Sequence, residues 1–330
     1  MRKTYHLCLS SHDEVMYRSE TDLNIGFNCF AVAALSTESR ALADGYMSTH
    51  HHIMVQSDSP RELMFRVRDA YARYFNTKYK RKGQLGERNY FLLEVEGLYH
   101  MLAALDYVNR QGLHHGLASS PVGYKHCSAN SFFRKELGKQ HVPNLIAPSK
   151  RSRFLPSNIR IPERYRMSPS GLLFREDILD TAYVEEIYIT PRNFLFHMNR
   201  LSNEDREIQE QKSENDIPPI TLGVIEKDVP DFDPNMTKTY EQGKINFQRM
   251  SDVELCQLID NKILPEMSGT PDASIYSLTK SHRAKLYDWL WQKNLISLSH
   301  KKEPWLNVRT FSEAQLCRCL CMKYMSYAIE

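Results

Sequence analysis

Three consecutive histidines, His50-His51-His52, sit inside the stretch Met47-Ser48-Thr49-His50-His51-His52-Ile53-Met54-Val55. The stretch ends in a β-leaning apolar run and follows another, so it reads as a strand. On a strand successive side chains alternate faces, which puts His50 and His52 on one face and His51 on the other. Two imidazoles about 6–7 Å apart along one strand can hold one divalent cation. Adjacent histidines can equally be a surface accident, and the stretch taken alone favours that plainer reading. A second pair of polar groups lies on a helix read over 96–111, where Tyr107 and Gln111 are i and i+4 and therefore neighbours on one face. Ala103 and Ala104 precede them on that face and would leave room for a substrate. Without further context Tyr107 is an ordinary half-buried aromatic.

These groups need a framework. Tyr5 to Ser10 reads as a first strand and Leu23 to Leu35 as a helix. Ala41 to Val55 holds the strand pair that carries the histidines. Ser59-Pro60-Arg61-Glu62 is a strong helix start, with Ser at the N-cap, Pro at N1 and Glu placed to close a capping box. Leu63, Val67, Ala70 and Tyr74 form the apolar stripe of that helix, joined by Met64, Tyr71 and Phe75. Lys80-Arg81-Lys82-Gly83 reads as its stop. Gly112 reads as the stop of the later helix, whose apolar stripe is Leu98, Met101, Leu102, Leu105 and Val108.

The helix after Pro60 and its exit are rich in cations, from Arg61 to Lys80, Arg81, Lys82 and Arg88, with Tyr71, Tyr74, Phe75 and Tyr79 interleaved. Basic residues with aromatics suit a nucleic-acid backbone and its bases. The plainer reading is a solvated helix face over core aromatics. It is preferred for the aromatics, and both readings stay open for the cations.

In the order in which they occur, these segments resemble the single-tyrosine HUH transposases, which include insertion-sequence enzymes and REP-associated tyrosine transposases. The histidine stretch resembles that family's Met-Pro-Asn-His-hydrophobic-His-Leu-Leu-Val strand. Tyr74-Phe75-Asn76 with Gly83-Gln84-Leu85 resembles its YFN…G-x-L/W segment, and Arg88 stands where the family has an Arg. Asp106-Tyr107-Val108 followed by His115-Gly116-Leu117 resembles D-Y-I…NPV-x-x-G. Tyr124-Lys125-His126-Cys127-Ser128-Ala129 resembles the closing W-x-x-S-S. The similarity covers about residues 5–135. The chain departs from the pattern at His51, where the family has an apolar residue, at Gln111-Gly112-Leu113 in place of NPV, and in lacking Pro-Asn in the first motif.

The resemblance implies an α+β catalytic domain with a ferredoxin-like antiparallel sheet and helices mainly on one face. It implies His50 and His52 as ligands of Mg²⁺ or Mn²⁺, Gln111 as third ligand and Tyr107 as nucleophile. It also implies a role for Arg88, which joins the basic cluster Lys80, Arg81 and Lys82 as the candidate DNA contacts. The substrate would be single-stranded, hairpin-forming DNA, cleaved and rejoined through a 5′-phosphotyrosine. The setting would be a bacterial cytoplasm with nucleoid association on DNA, and a homodimer is compatible. Two other classes remain: a non-catalytic DNA-binding regulator on the same fold, and an unrelated metal hydrolase using the histidine pair with water as nucleophile.

At 330 residues the chain can bury a real core and a second, smaller module. A net charge of +3 is mild, so any nucleic-acid signal has to be local. No stretch is long and apolar enough to span a membrane, and the N-terminus reads without a signal-peptide core. Seven cysteines without a C-x-x-C pair suggest a reduced, intracellular protein. The expected organisation is a catalytic domain over 1–135, a basic Pro-containing linker over 136–162, and a helical extension over 163–201. A flexible connector over 202–245 and a small helical accessory domain over 246–330 follow. Helices are read from Ser251, from Thr279 and from Ser312. They make either a helix-turn-helix DNA reader or a plain packing module, and the second is favoured.

Overall fold

A computed structural model describes residues 2–199 apart from 12–13, 116, 119, 140–143 and 157–158. It also describes 238–292 apart from 242–243, 248–251 and 269–273. The chain begins β1 (Lys3–Ser10), α1 (Glu20–Ser36), β2 (Arg40–Tyr46), β3 (His50–Ser57), α2 (Pro60–Lys78), β4 (Phe91–Val95) and α3 (Gly97–Asn109). The four strands form one antiparallel sheet in the order β2-β3-β1-β4. The β-α-β-β-α-β succession with this strand order is the ferredoxin-like arrangement, so the fold is α+β.

Alternation along the central strands sorts the two faces. Leu7 and Leu9 of β1 share a face with His51, Ile53 and Val55 of β3, because Leu9 pairs with His51 and Leu7 with Ile53. That face is covered by α1 and α2. Tyr17 bridges His51 and Tyr71 of α2, and the Tyr46 hydroxyl donates to Gly26 O of α1. The other face carries His6 and Cys8 of β1 with His50 and His52 of β3, and is covered by α3. The two long helices therefore share one face, and the third lies over the histidine pair.

Several local expectations change. Met47–Thr49 is a turn rather than strand: Met47 N donates to His50 O and Tyr17 N to Ser48 O, so β3 starts at His50. Ser59 caps α2 without a side-chain hydrogen bond, and Glu62 pairs with Arg66 instead of closing a box. The left-handed residue after α2 is Lys80 (φ 52°), three residues before Gly83, so Lys80 fills the expected glycine position. α3 ends at Asn109, and Gln111 opens a separate helical turn, Gln111–His114. Leu98 lies exposed, outside the stripe made by Met101, Leu105 and Val108. β4 is an additional strand that no periodic pattern in the sequence announces.

The aromatics of α2 are core. Tyr71 and Phe75 are buried, and the Tyr74 and Tyr79 hydroxyls donate to the buried Asp22 carboxylate, which also receives Lys78 Nζ. The basic segment expected to be a linker docks as a 3-10 turn, Pro148–Phe154. Asn28 Nδ2 donates to Phe154 O, and the Phe154 ring covers Gly171 so closely that a Cβ there would meet it at 2.2 Å. Helices Thr181–Tyr188 and Pro191–Asn199 follow, the latter starting where Thr190 Oγ1 accepts from Asn193 N.

The chain divides into two compact units, one holding Met1–Met198 with Ser251–Thr279, the other Asn199–Met250 with Lys280–Phe311. The helical segment from Asp252 joins the first unit through Arg18, whose fully buried guanidinium grips Asp260 with contacts of 2.6 and 3.1 Å. In the second unit the described parts are the antiparallel strands Lys238–Glu241 and Lys244–Phe247 and the helix Lys280–Gln292. The caps expected at Ser251 and Ser312, Cys317, Cys319, Cys321 and most of 202–245 lie outside the described residues. Among the described residues no helix is long and apolar enough to cross a membrane, and Cys8, Cys29, Cys127 and Cys256 are buried and form no disulfide.

One buried ion pair ties the sheet edge to the later helices. Arg175 Nε and Nη2 reach the Asp44 carboxylate of β2 at 2.7–2.9 Å. Arg175 Nη1 donates to Lys125 O, and its guanidinium lies 4.3 Å from the Phe27 ring centre. Burial pushes the Asp44 carboxyl up, and Arg175 opposes that shift. Removing one partner of such a pair leaves an uncompensated buried charge and costs about 3–5 kcal/mol. Arg175→Met is expected to lose that much stability in chemical denaturation, and adding Asp44→Asn to restore part of it. An Arg175→Met protein as stable as the parent would show that the pair is solvated.

Candidate functional site

The site is built where α3 crosses the N-terminal half of β3. The chain reaches α3 from the edge strand β4 through Gly97, whose φ of 77° only glycine adopts without strain. α3 then lies close on β2: a Cβ on Gly45 would stand 3.0 Å from Val108 O and 3.5 Å from Gln111 Cβ. The far side of α3 is held by Asp106, which accepts from the Tyr188 hydroxyl at 2.9 Å and lies 2.8 Å from His197 Nδ1. Its C-terminal end is held by the segment 124–129. Ser128 Oγ donates to Asn109 Oδ1 at 2.6 Å and accepts from Asp44 N, Cys127 Sγ lies 3.0 Å from Asn109 O, and the Tyr124 hydroxyl donates to Tyr46 O.

This scaffold brings His50, His52, Tyr107 and Gln111 together. His50 Nε2 lies 3.5 Å from Gln111 Oε1, and the His50 and His52 rings are 5.2 Å apart, edge to face. The Tyr107 ring is 5.1 Å from that of His52 and half open to solvent. Gln111 Nε2 donates to Tyr107 O at 3.1 Å, which turns its Oε1 toward the imidazoles. His51 takes the opposite face, stacked 5.1 Å from Tyr46 with Nδ1 2.7 Å from the Tyr17 hydroxyl.

Three further residues belong to the cluster. His6 Nε2 lies 3.0 Å from His52 Nδ1, Cys8 Sγ 3.8 Å from His52 Nε2, and His115 Nε2 3.2 Å from Gln111 Oε1. His6 and Cys8 had a signal in the sequence: His6, Cys8 and Ser10 alternate with Leu7 and Leu9, the pattern of a strand with one polar face. His115 had only its place after Gln111.

Burial sets the charge state of the group. Taking an imidazolium out of water is costly, so the His6 and His50 rings are pushed down to about 4, His51 and His115 to about 3, and His52 well below its ordinary value. Neutral rings keep the lone pair that a cation needs. In both ligand candidates Nδ1 is occupied, by Thr49 Oγ1 for His50 and by His6 for His52, which orients each ring. Among the described residues no three His, Cys, Asp or Glu side chains are grouped to hold a metal; the further oxygen that faces His50 is the Gln111 amide. Two imidazole nitrogens and one amide oxygen are a donor set that divalent cations accept.

The expected DNA contacts divide. Lys80, Lys82 and Arg88 are exposed. Arg81 braces its own loop, donating to Glu14 Oε1 at 2.5 Å, Asn76 Oδ1 at 3.0 Å and Gln84 O at 2.7 Å. The loop runs past the end of β1, where Glu87 N donates to Ser10 O, and Ser10 pairs with His50.

No family model matches the chain, and no curated protein matches it. Among solved structures it is similar to that of a REP-associated tyrosine transposase bound to a REP hairpin. The TM-score is 0.35 and the identity 9%, over 43% of this chain and 84% of that one.

The depressed imidazoles fix how stability varies with pH. The unfolded chain takes up protons near 6.5, whereas the folded His6, His50 and His51 resist until about 4 or 3. Their contribution is complete above the unfolded value and is lost as pH falls toward the folded ones, by about 1.4 kcal/mol per pH unit for each histidine in transition. Denaturation midpoints are expected to fall steadily from about pH 7 to about pH 5. Stability that stays flat over that range would show the rings already charged or solvated in the fold.

Proposed function

We propose that the protein cleaves and rejoins single-stranded DNA, with Tyr107 as nucleophile and His50, His52 and Gln111 as the ligands of a divalent cation. The observation that supports this most is one face holding neutral, buried imidazoles, an inward-turned amide oxygen and a half-open tyrosine within about one ring's width of them. The ordered motifs over 5–135 point to the same chemistry.

In this reading His50 Nε2, His52 Nε2 and Gln111 Oε1 hold Mg²⁺ or Mn²⁺. When bound, the cation polarises the scissile phosphate and offsets the charge that builds on it. His6 and Thr49 fix the ring orientations from behind. Lys80, Lys82 and Arg88 meet the phosphates on either side. The Tyr107 oxygen attacks phosphorus and gives up its proton, the P–O3′ bond breaks, and the leaving oxygen takes a proton to become a free 3′-OH. The 5′ side stays on Tyr107 as a phosphodiester, so the step runs in reverse onto another 3′-OH without an outside energy source. Hairpin-forming DNA is the substrate form this reading favours, because a hairpin presents an unpaired strand next to a fixed duplex.

The test is covalent capture on end-labelled hairpin oligonucleotides. The wild-type protein with Mg²⁺ or Mn²⁺ is expected to give a protein–DNA adduct on denaturing gels, lost in Tyr107→Phe and reduced at least about 100-fold in His50→Ala. An adduct that survives Tyr107→Phe would remove Tyr107 as nucleophile. Cleavage without an adduct would point to water and a metal hydrolase. Binding without any cleavage would leave a DNA-binding regulator.

A further inference from the structure

The rings of the site continue beyond it. From the sheet edge inward, Phe91 lies 5.5 Å from His6, His6 lies 5.2 Å from His52 and 5.9 Å from Tyr107, and His52 lies 5.2 Å from His50. His50 lies 4.9 Å from His115. The row crosses β4, β1 and β3 on a single face, because Phe91 pairs with Cys8 and Cys8 with His52. Its inner members are buried. Its outer end is not: Phe91 is 51% exposed, and Leu93 beside it on the same face is 49% exposed.

We propose that Phe91 is a stacking platform for an unpaired nucleobase next to the bond attacked by Tyr107. The proposal rests on the cleavage reading for its position and adds the element that grips the strand. A phosphodiester placed at His50, His52 and Tyr107 leaves its neighbouring nucleotide near Phe91, because the row of rings leads there in ring-to-ring steps of 5–6 Å. β4 is an edge strand, so nothing in the sheet covers the outer side of Phe91. The exposed Arg88 stands three residues earlier, with its carbonyl held by Arg68 Nη1, and supplies a cation for the backbone of a strand whose base lies on the ring. A flat, exposed ring at the end of the imidazole row, three residues from an exposed cation, fits a base, which has an apolar face and a charged backbone. An aliphatic protein surface would offer the exposed Arg88 no counter-charge. Stacking is indifferent to base identity, so this contact contributes grip and register rather than sequence choice.

The probe is an oligothymidylate of about 12 nucleotides carrying one 2-aminopurine, moved along the strand, with the full chain in the Tyr107→Phe form to prevent cleavage. Binding is expected to quench the probe at one or two adjacent positions. Phe91→Ala should abolish that quench and weaken binding at least about fivefold, and Phe91→Trp should restore both. Equal quench and affinity in Phe91→Ala would overturn the proposal. So would loss of a dimer in sedimentation with the quench unchanged, which would assign the ring to a contact between two copies. The readout needs neither metal nor cleavage. A missing covalent adduct with an intact Phe91-dependent quench therefore sinks the cleavage reading alone, and an adduct with no Phe91 dependence sinks the platform alone.

Discussion

The two-residue repeat of β3 is the constraint on which the site depends. Three consecutive imidazoles cannot share one environment on a strand: two must go to one face and one to the other. Here the odd one, His51, is locked between Tyr17 and Tyr46 in the layer of α1 and α2, while His50 and His52 face α3. A slip by one residue would push His50 and His52 into an aromatic core and bring His51 out. Pairing with β1 along the whole of β3, from Ser10–His50 to Lys3–Ser57, and the short turn at Met47–Thr49 leave no room for such a slip. Because all three rings are buried, the same constraint keeps them neutral, and a neutral ring keeps the lone pair that the proposed coordination requires.

A face of imidazoles becomes a site only if the opposing helix is held in place. α3 is pinned from behind by Asp106 against Tyr188 and His197, and at its end by Asn109 against Ser128. Ser128 in turn receives the backbone N–H of Asp44, the residue that Arg175 neutralises. The residues after 160 thus act on Tyr107 and Gln111 without approaching them. In the proposed reaction a misplacement of Tyr107 by about 1 Å would cost about 100-fold in rate, so this support matters to the proposed chemistry alongside the proposed ligands.

Much of this was legible in the sequence. Strand alternation alone placed His50 and His52 together and His51 apart, and helical spacing alone made Tyr107 and Gln111 neighbours. Both survive, although the helix breaks at Arg110 and Gln111 holds its place by bonding back to Tyr107 O. The ferredoxin-like sheet came from the resemblance rather than from periodicity. β4 was missed because Phe91-Leu92-Leu93 is a short, nearly continuous apolar run, which has no strand signature of its own; its pairing with β1 makes it one. His6 and Cys8 show a polar strand face in the sequence, but what brings them to the site is register: Cys8 pairs with His52 and His6 with Met54, over 40 residues away in sequence. The Asp44–Arg175 pair spans 131 residues, and no local pattern announces it. By charge alone Arg81 is indistinguishable from its basic neighbours, and only the fold shows its guanidinium spent on Glu14 and the loop carbonyls.

The proposed site requires that two imidazoles from one strand face share a cation. Electron spin-echo spectroscopy of the protein loaded with Mn²⁺ tests it without any DNA. Nitrogen modulation from two histidines is predicted, halved in His50→Ala or His52→Ala and unaffected in His51→Gln. A spectrum of fully hydrated Mn²⁺, or modulation that depends on His51, would rule out a cation shared by His50 and His52.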